Sequence, residues 1–173
     1  MFFEFDEIYL RELRKDDLNG TWFTWFNNKN VTKYQDKGTF PNTIEKQSEY
    51  YDYLLDSKTD VVFAIIDKKS NKHIGNIGVH HIDYIHRRCE IGIVIGEHES
   101  QGKGYAFICI NIIKEYIFNT LNLRRITVFI MSENISSIKS FEKCGFIHEG
   151  VMKEYFYKNG KYLDNHIYGL INE

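Results

Sequence analysis

Two glycines, Gly102 and Gly104, sit in the stretch GEHESQGKGYA (Gly96 to Ala106), between a run of β-branched residues and an amphipathic pattern. A glycine turn that leaves a strand and opens a helix aims several backbone N–H groups and the positive end of the helix dipole at one point. A phosphate or another anion would sit well there. Spacing decides among the turns that work this way. A P-loop needs G-x-x-x-x-G-K-[ST], but Gly96 and Gly102 are one residue too far apart, and Gly104 stands where the metal-binding hydroxyl belongs. The dinucleotide fingerprint G-x-G-x-x-G starts on Gly102 and Gly104 and then meets Phe107, too bulky for close helix–strand contact. Just upstream, HHIDYIHRRCE gathers His80, His81, Asp83, His86 and Glu90, residue types that move protons. No carboxylate–histidine spacing among them forms a ligand set, so no metal is expected.

These residues need elements to hold them. CEIGIVIGE, Cys89 to Glu97, is apolar and β-branched enough for a buried strand. Tyr105, Ile108, Cys109, Ile112, Ile113, Tyr116 and Ile117 recur on one helix face, so the turn feeds a core helix. Nearer the N-terminus, Glu7 to Leu13 reads as a first strand, and Asp16 to Asn28 as a helix with Leu18, Trp22 and Trp25 on one side and Gly20 as its weak point. Asn42 with Glu45 has the form of a capping box opening a second helix through Leu55, after a turn marked by Pro41. VVFAIID and HIGNIGVHHI read as a hairpin around KKSNK. Downstream, Arg124 to Met131 reads as another buried strand. ENISSIKSFEKCGF follows as a short helix capped by Asn134, with Ile138 and Phe141 inward and Gly145 in the left-handed position that ends it. The last hairpin, GVMKEYFYKNGKYLDNHIYGL, turns on Asn159 and Gly160.

At 173 residues and 43% hydrophobic content, the chain is expected to be one domain, residues 1–173, with a sizeable core. A formal net charge of −2 and the lack of a basic cluster give no reason to expect nucleic acid or an anionic membrane as partner. Apolar runs are too short for a membrane span, and charges interrupt MFFEFDEIYL, so no signal peptide is expected and the protein reads as cytoplasmic. Cys89, Cys109 and Cys144 are odd in number and form no C-x-x-C pair, as suits reduced structural thiols, which makes the glycosylation sequons at Asn30 and Asn134 chance.

QGKGYA resembles the acetyl-CoA pyrophosphate loop of the GNAT (Gcn5-related N-acetyltransferase) superfamily, usually written Q/R-x-x-G-x-G/A. ENISSIKSFEKCGF resembles its second signature, N-x-x-[AS]-x-x-x-[YF]-x-K-x-G-F, through Asn134, Ser137, Phe141, Lys143, Gly145 and Phe146. Helix capping explains the second motif alone but not its joint occurrence with the first. Glu99 departs from the loop pattern by standing at the Gln/Arg position. A carboxylate there would repel a diphosphate, so its side chain is expected to face solvent. The order of elements extends the resemblance over nearly the whole chain, most specifically from Asn76 to Leu170. It implies an α/β (α+β mixed) fold, a central and mostly antiparallel mixed sheet flanked by about four helices. That sheet would splay between its fourth and fifth strands, the Cys89–Glu97 and Arg124–Met131 segments. It also implies acetyl-CoA as cosubstrate, with pantetheine along Ile93, Val94 and Ile95 and pyrophosphate on Gln101, Gly102, Lys103, Gly104, Tyr105 and Ala106. Asn134, Ser137 and Phe141 would lie near the thioester.

The reaction so implied is attack of an amine on the thioester carbonyl. A primary amine with a pKa of about 10 must first lose a proton. Glu90 is the first candidate base, because alternation sets it on the Gly92 face, away from Ile91 and Ile93. His86 comes next, then His80 or His81, with Ser137 as a catalytic candidate beside the thioester. Many members of the superfamily carry a tyrosine four residues after the signature serine as acid toward the departing sulfur. Phe141 cannot donate that proton. A thiol with a pKa of about 8.5 can leave as thiolate, so this departure touches the mechanism and not the class. Tyr155 and Tyr157 are the candidate substitutes.

For the acceptor, WFTWFNNKNVTKYQDKGTFP resembles the W-x-N-x-x-x-V segment of the RimJ/RimL-like branch, whose members acetylate protein N-termini, polyamines or amino sugars. Trp25, Tyr34, His81 and Tyr155 are the expected substrate contacts. Lys29, Lys33 and Lys37 offset Asp36, which weighs against a polyamine and toward an amine on an anionic carrier, such as a nucleotide-linked amino sugar. Protein N-termini and polyamines are the alternatives. Phe141 also fits a non-catalytic acyl-CoA-binding module, and a nucleotide-phosphate-binding protein is a third class. A monomer or homodimer is expected.

Overall fold

The β-branched runs pair into one eight-stranded sheet in the computed structural model, which describes residues 2–173. Its strands are β1 (Phe3–Glu4), β2 (Ile8–Glu12), β3 (Val61–Asp67), β4 (Lys72–Asp83), β5 (Arg88–Ile95), β6 (Arg125–Met131), β7 (Ile147–Lys158) and β8 (Lys161–Ile171), in the order β1-β2-β3-β4-β5-β6-β8-β7. Every neighbouring pair is antiparallel except β5–β6. Four α-helices flank it: α1 (Trp22–Trp25), α2 (Ile44–Asp56), α3 (Tyr105–Glu115) and α4 (Ile135–Lys143). The expected mixed fold is therefore present.

The period of two in the strands gives the sheet two apolar faces. On one, Ile77, Val79 and Ile91 pack against Cys109, Ile110 and Ile113 of α3. On the other, Ala64 and Ile66 pack against Leu18, Trp22 and Trp25. Cys89, Cys109 and Cys144 are buried and unbridged. Burial pushes the Cys89 and Cys109 thiols up to about 12, so both are inert packing groups.

The parallel pair creates the site. β5 and β6 are in register only through Arg88↔Arg125, Cys89↔Ile126 and Glu90↔Thr127, and then they part. Each strand is held on its far side for its whole length, β5 by β4 and β6 by β8. Beyond Glu90, the backbone groups of β5 that face β6 therefore have no strand partner.

Several local expectations give way to stronger interactions. The Asp16–Asn28 helix is instead a 3-10 turn (Lys15–Asn19) and the four-residue α1, separated at Gly20, whose backbone is extended (φ −91°, ψ −156°). Asp17 causes this: it accepts two hydrogen bonds from Arg11, at 2.7 and 2.8 Å, and one from the Arg14 N–H at 2.8 Å, which draws the turn down onto β2. The cap of α2 is Thr43, accepting from the Lys46 N–H at 3.3 Å, and not Asn42, which is tied to Asn27 across the preceding loop. A π-helical segment, Tyr116–Thr120, continues α3, and β1 adds an edge strand. Asn159 and Gly160 both have positive φ (51° and 84°), as a two-residue hairpin turn needs.

Gly96, just past β5, lies against the Trp25 indole, and a Cβ there would fall 2.0 Å from the ring. Gly96→Ala should lower unfolding free energy by about 1–3 kcal/mol through overpacking, seen as an earlier chemical-denaturation midpoint with an unchanged slope.

Candidate active site

A cleft of about 370 Å³ opens where β5 and β6 diverge. One half lies between the strands, walled by Ile93, Val94, Val128 and Ile130; the other reaches across the α1–α2 face to Phe26, Tyr50 and the loop carrying Tyr34 to Lys37. At the strand end, Gly102 (φ 74°) and Gly104 (φ 81°) are both left-handed, and Gly104 is the N-cap of α3. Left-handed backbone is the reason for glycine here, since a Cβ on either residue would meet nothing within 4 Å. The N–H groups of Gly102 through Phe107 have no backbone acceptor among the described residues, as expected for a turn that opens a helix. Gln101 fixes the turn to β5 by donating from Nε2 to the Ile95 carbonyl at 3.0 Å. Glu99 is exposed on the 3-10 turn His98–Ser100. This cradle and the unpaired β5 edge suit an extended cosubstrate with a diphosphate at one end.

Asn134 caps α4, its Oδ1 accepting from the Ser137 N–H at 3.3 Å, and Ser137 and Phe141 line the cleft beside it. Phe141 is buried and packs edge-on against Phe146, with ring centres 5.0 Å apart. Gly145 has φ 93° and ends the helix. On the cleft floor, Gly78 lies opposite Gly92 and His80 opposite Glu90, so all four share one face of the sheet. The His80 Nδ1 is 2.8 Å from Asp60 Oδ1. Asp60 also accepts from Tyr53 Oη at 2.7 Å and Thr59 Oγ1 at 2.8 Å. Burial alone would raise the Asp60 carboxyl, but these donors together hold it below its ordinary value. Tyr50 stays a neutral phenol, pushed up to about 12 by burial and by Asp60.

Residues 7–147 match the family described as acetyltransferase (GNAT) domain. The chain belongs to the GNAT family. It is 33% identical over 158 residues to a spermidine N(1)-acetyltransferase of Vibrio cholerae, covering 91% of this chain and 89% of the relative. It is 30% identical over 171 residues to the uncharacterized N-acetyltransferase YoaA of Bacillus subtilis, covering 97% and 95%. Among solved structures, the spermidine N-acetyltransferase from Vibrio cholerae in complex with CoA and spermine aligns with a TM-score of 0.88 at 31% identity over 95% of each chain. A dodecameric structure of that enzyme aligns at 0.80 and 30% identity, over 95% of this chain and 94% of that one. As a GNAT member the chain is an acyl-CoA-dependent N-acetyltransferase with acetyl-CoA as cosubstrate. A purely non-catalytic module is set aside.

Within this GNAT fold, Glu90, His80, Tyr34, Ser137, Asn134 and Phe141 reach the cleft, whereas Trp25, His81, His86, Tyr155 and Tyr157 do not. Trp25 is turned under the sheet end, where its Nε1 donates to Glu97 at 2.9 Å; the break at Gly20 brings Trp22 to the cleft instead. His81 sits on a bulge with φ 51°, which turns its side chain to solvent, 74% exposed, with Nδ1 3.0 Å from Glu90 Oε2. His86 lies on the exposed turn after β4, where its N–H donates to Asp83 at 2.9 Å. Tyr155 and Tyr157 point outward: the register shift between His148 and Gly150 adds one residue to β7, and the shift between Met152 and Phe156 adds two, so Met152 and Phe156 share a face and Phe156 takes the position at the cleft. Neither tyrosine reaches the cleft to replace the missing acid at Phe141.

Sequence reasoning missed Asp60, and it counted Lys37 only as an offset to Asp36. Lys37 Nζ lies in the cleft region 4.8 Å from the Phe26 ring centre and 5.0 Å from that of Tyr50. Burial lowers its pKa, against the attraction of Asp36. No group of three or more metal-ligating side chains occurs among the described residues.

Proposed function

We propose that the chain transfers the acetyl group to a primary amine of a small aliphatic polyamine, the class its spermidine-acetylating relatives are named for. The supporting observation is Lys37, whose ammonium rests on the Phe26 and Tyr50 rings inside the cleft. Aromatic faces attract alkylammonium groups, so the acceptor half is built to receive one. Asp36 and Glu90 line the same cleft and offer carboxylates to a second cationic nitrogen. Of the three lysines that weigh against a polyamine in the sequence, Lys29 and Lys33 do not line the cleft, whereas Lys37 does. The phosphates of a nucleotide-linked amino sugar would meet Asp36 and Glu90, so that acceptor has no support. A RimJ/RimL-like branch rests on Trp25, Asn27 and Val31 alone.

In this reading, the N–H groups of Gln101 to Ala106 take the pyrophosphate. The free edge of β5 at Ile93 to Ile95 takes the pantetheine, and Asn134, Ser137 and Phe141 border the thioester. Glu90 faces the amine. We take the protein to act as one domain, as a monomer or homodimer, in the cytoplasm. Three buried free thiols support a reducing compartment, and no helix among the described residues is long and apolar enough to cross a membrane.

Thiol release from acetyl-CoA, followed with spermidine, peptide N-termini, aminoglycosides and nucleotide-linked amino sugars, tests this. Spermidine should accelerate release, and Glu90→Gln should lower kcat/KM for it about 10-fold or more, the usual worth of one charged contact. Acceleration by a peptide or amino sugar and not by spermidine would overturn the acceptor.

A further inference from the structure

Amine acetylation needs a group that removes a proton at the cleft floor, and the environments of Glu90 and His80 differ. Glu90 Oε2 is engaged with His81 Nδ1 at 3.0 Å. His80 makes its one side-chain bond through Nδ1, to Asp60. Asp60 is held ionised by its donors, and a carboxylate can only accept, so the proton of the neutral imidazole resides on Nδ1. The Nε2 lone pair is thereby exposed, and no protein group bonds Nε2 among the described residues. That end of the ring lies directly over Gly78, where a Cβ would come within 2.3 Å of Nε2, and near Gly92, where a Cβ would be 3.9 Å away. Two glycines facing each other on adjacent strands thus clear the floor for one imidazole.

We infer that His80 is the general base that deprotonates the acceptor amine, with Asp60 as the positioning residue that fixes its tautomer. This rests on the acetyltransferase reading of the cleft but not on the acceptor being a polyamine. Nε2 takes one proton from the acceptor ammonium. The neutral amine forms a C–N bond to the acetyl carbonyl carbon, the C–S bond breaks, and the sulfur leaves with the bonding pair. The second amine proton goes to that sulfur, giving free thiol, and the imidazolium returns its proton to solvent. Groups facing the ring from the surrounding elements are Asp60 before β3, Tyr50 and Tyr53 of α2, Glu90 of β5, and Asp36 and Lys37 of the cleft loop.

The experiment compares wild type, His80→Gln, Asp60→Asn and Glu90→Gln by kcat and by kcat/KM against pH, using whichever amine in the panel supports thiol release. Acetyl-CoA affinity is measured separately by calorimetry. His80→Gln should lose at least about 10²-fold in kcat, within the range for a general base, with acetyl-CoA affinity unchanged and the acid limb of the profile abolished. Asp60→Asn should lose about 10-fold in kcat with acetyl-CoA affinity unchanged, because the imidazole loses the carboxylate that fixes its tautomer. Nitrogen NMR of the wild type should find Nδ1 protonated and Nε2 bare. His80→Gln within threefold of wild type, an acid limb that survives in it and disappears in Glu90→Gln, or a protonated Nε2 in the neutral ring would each overturn the assignment. Failure of spermidine with success of another amine would overturn the acceptor and leave this test intact. With no active amine at all, the NMR tautomer and its response to Asp60→Asn still decide.

Discussion

Gly102→Val should weaken acetyl-CoA binding by at least about 10²-fold while leaving the melting temperature almost unchanged. Gly102 has φ 74°, a region in which a β-branched residue is a genuine outlier. The turn is exposed, and no neighbour lies within 4 Å of the added Cβ, so nothing holds the new residue in a strained conformation. The backbone is free to relax, and little folding energy is lost. Relaxation, however, moves the N–H groups of Gly102 through Ala106 off their common point. Losing two charge-assisted hydrogen bonds at about 1.5–3 kcal/mol each corresponds to a factor of 10² or more. Calorimetric titration with acetyl-CoA and a thermal melt on the same sample separate the two effects. A variant that melts far earlier, or binds within a few-fold of wild type, would contradict the assignment of this turn to the pyrophosphate.

The turn was legible in the sequence because its requirement is local. Left-handed backbone at Gly102, Gly104, Gly145 and Gly160 needs glycine whatever the rest of the chain does, so motif and conformation coincide. Glu90 was legible for a related reason, since alternation along an uninterrupted strand fixes its face. Alternation fails where a bulge intervenes. His81 sits on a bulge of β4 at φ 51°, which turns it to solvent, and the one-residue shift between His148 and Gly150 resets which residues of β7 face inward, leaving Tyr155 outside. Asp60 lies beyond any local rule: it reads as a turn residue before β3, and its bond to His80 exists only because β3 and β4 pair. One signal did exist for that site. Gly78 sits between Ile77 and Val79 and Gly92 between Ile91 and Ile93, and glycines in such places mark a close approach by another group. The approaching group is His80, two residues along the same strand.

Arg11→Ala should be the most damaging single change to stability, at about 3–5 kcal/mol near neutral pH, a large part of the 5–15 kcal/mol typical of a domain. Arg11 and Asp17 are a two-pronged pair at 2.7 and 2.8 Å, with side chains only 11% and 7% exposed. Removing the guanidinium strands a buried carboxylate. The pH dependence identifies the cause. Burial alone would raise the Asp17 carboxyl, yet Arg11, the Arg14 N–H and nearby His73 hold it below the ordinary carboxylate value. A depressed carboxylate contributes stability that is present above its unfolded value of about 4 and lost as pH falls through the folded value. His73 is also depressed, chiefly by burial, so the unfolded chain takes up a proton there that the native state refuses. Wild-type stability should therefore begin to fall below about pH 6.5, with a slope up to about 1.4 kcal/mol per pH unit for one proton, and fall again below about pH 4. In Arg11→Ala the stranded Asp17 can escape its penalty by protonating, so its deficit against wild type should narrow on acidification. Urea unfolding at pH 7, 5 and 3.5 reads this directly, and a deficit independent of pH would mean that Arg11 acts by packing alone. The same pair anchors the turn that delivers Trp22 to the cleft wall, so the variant should lose acceptor binding before it loses the pyrophosphate turn.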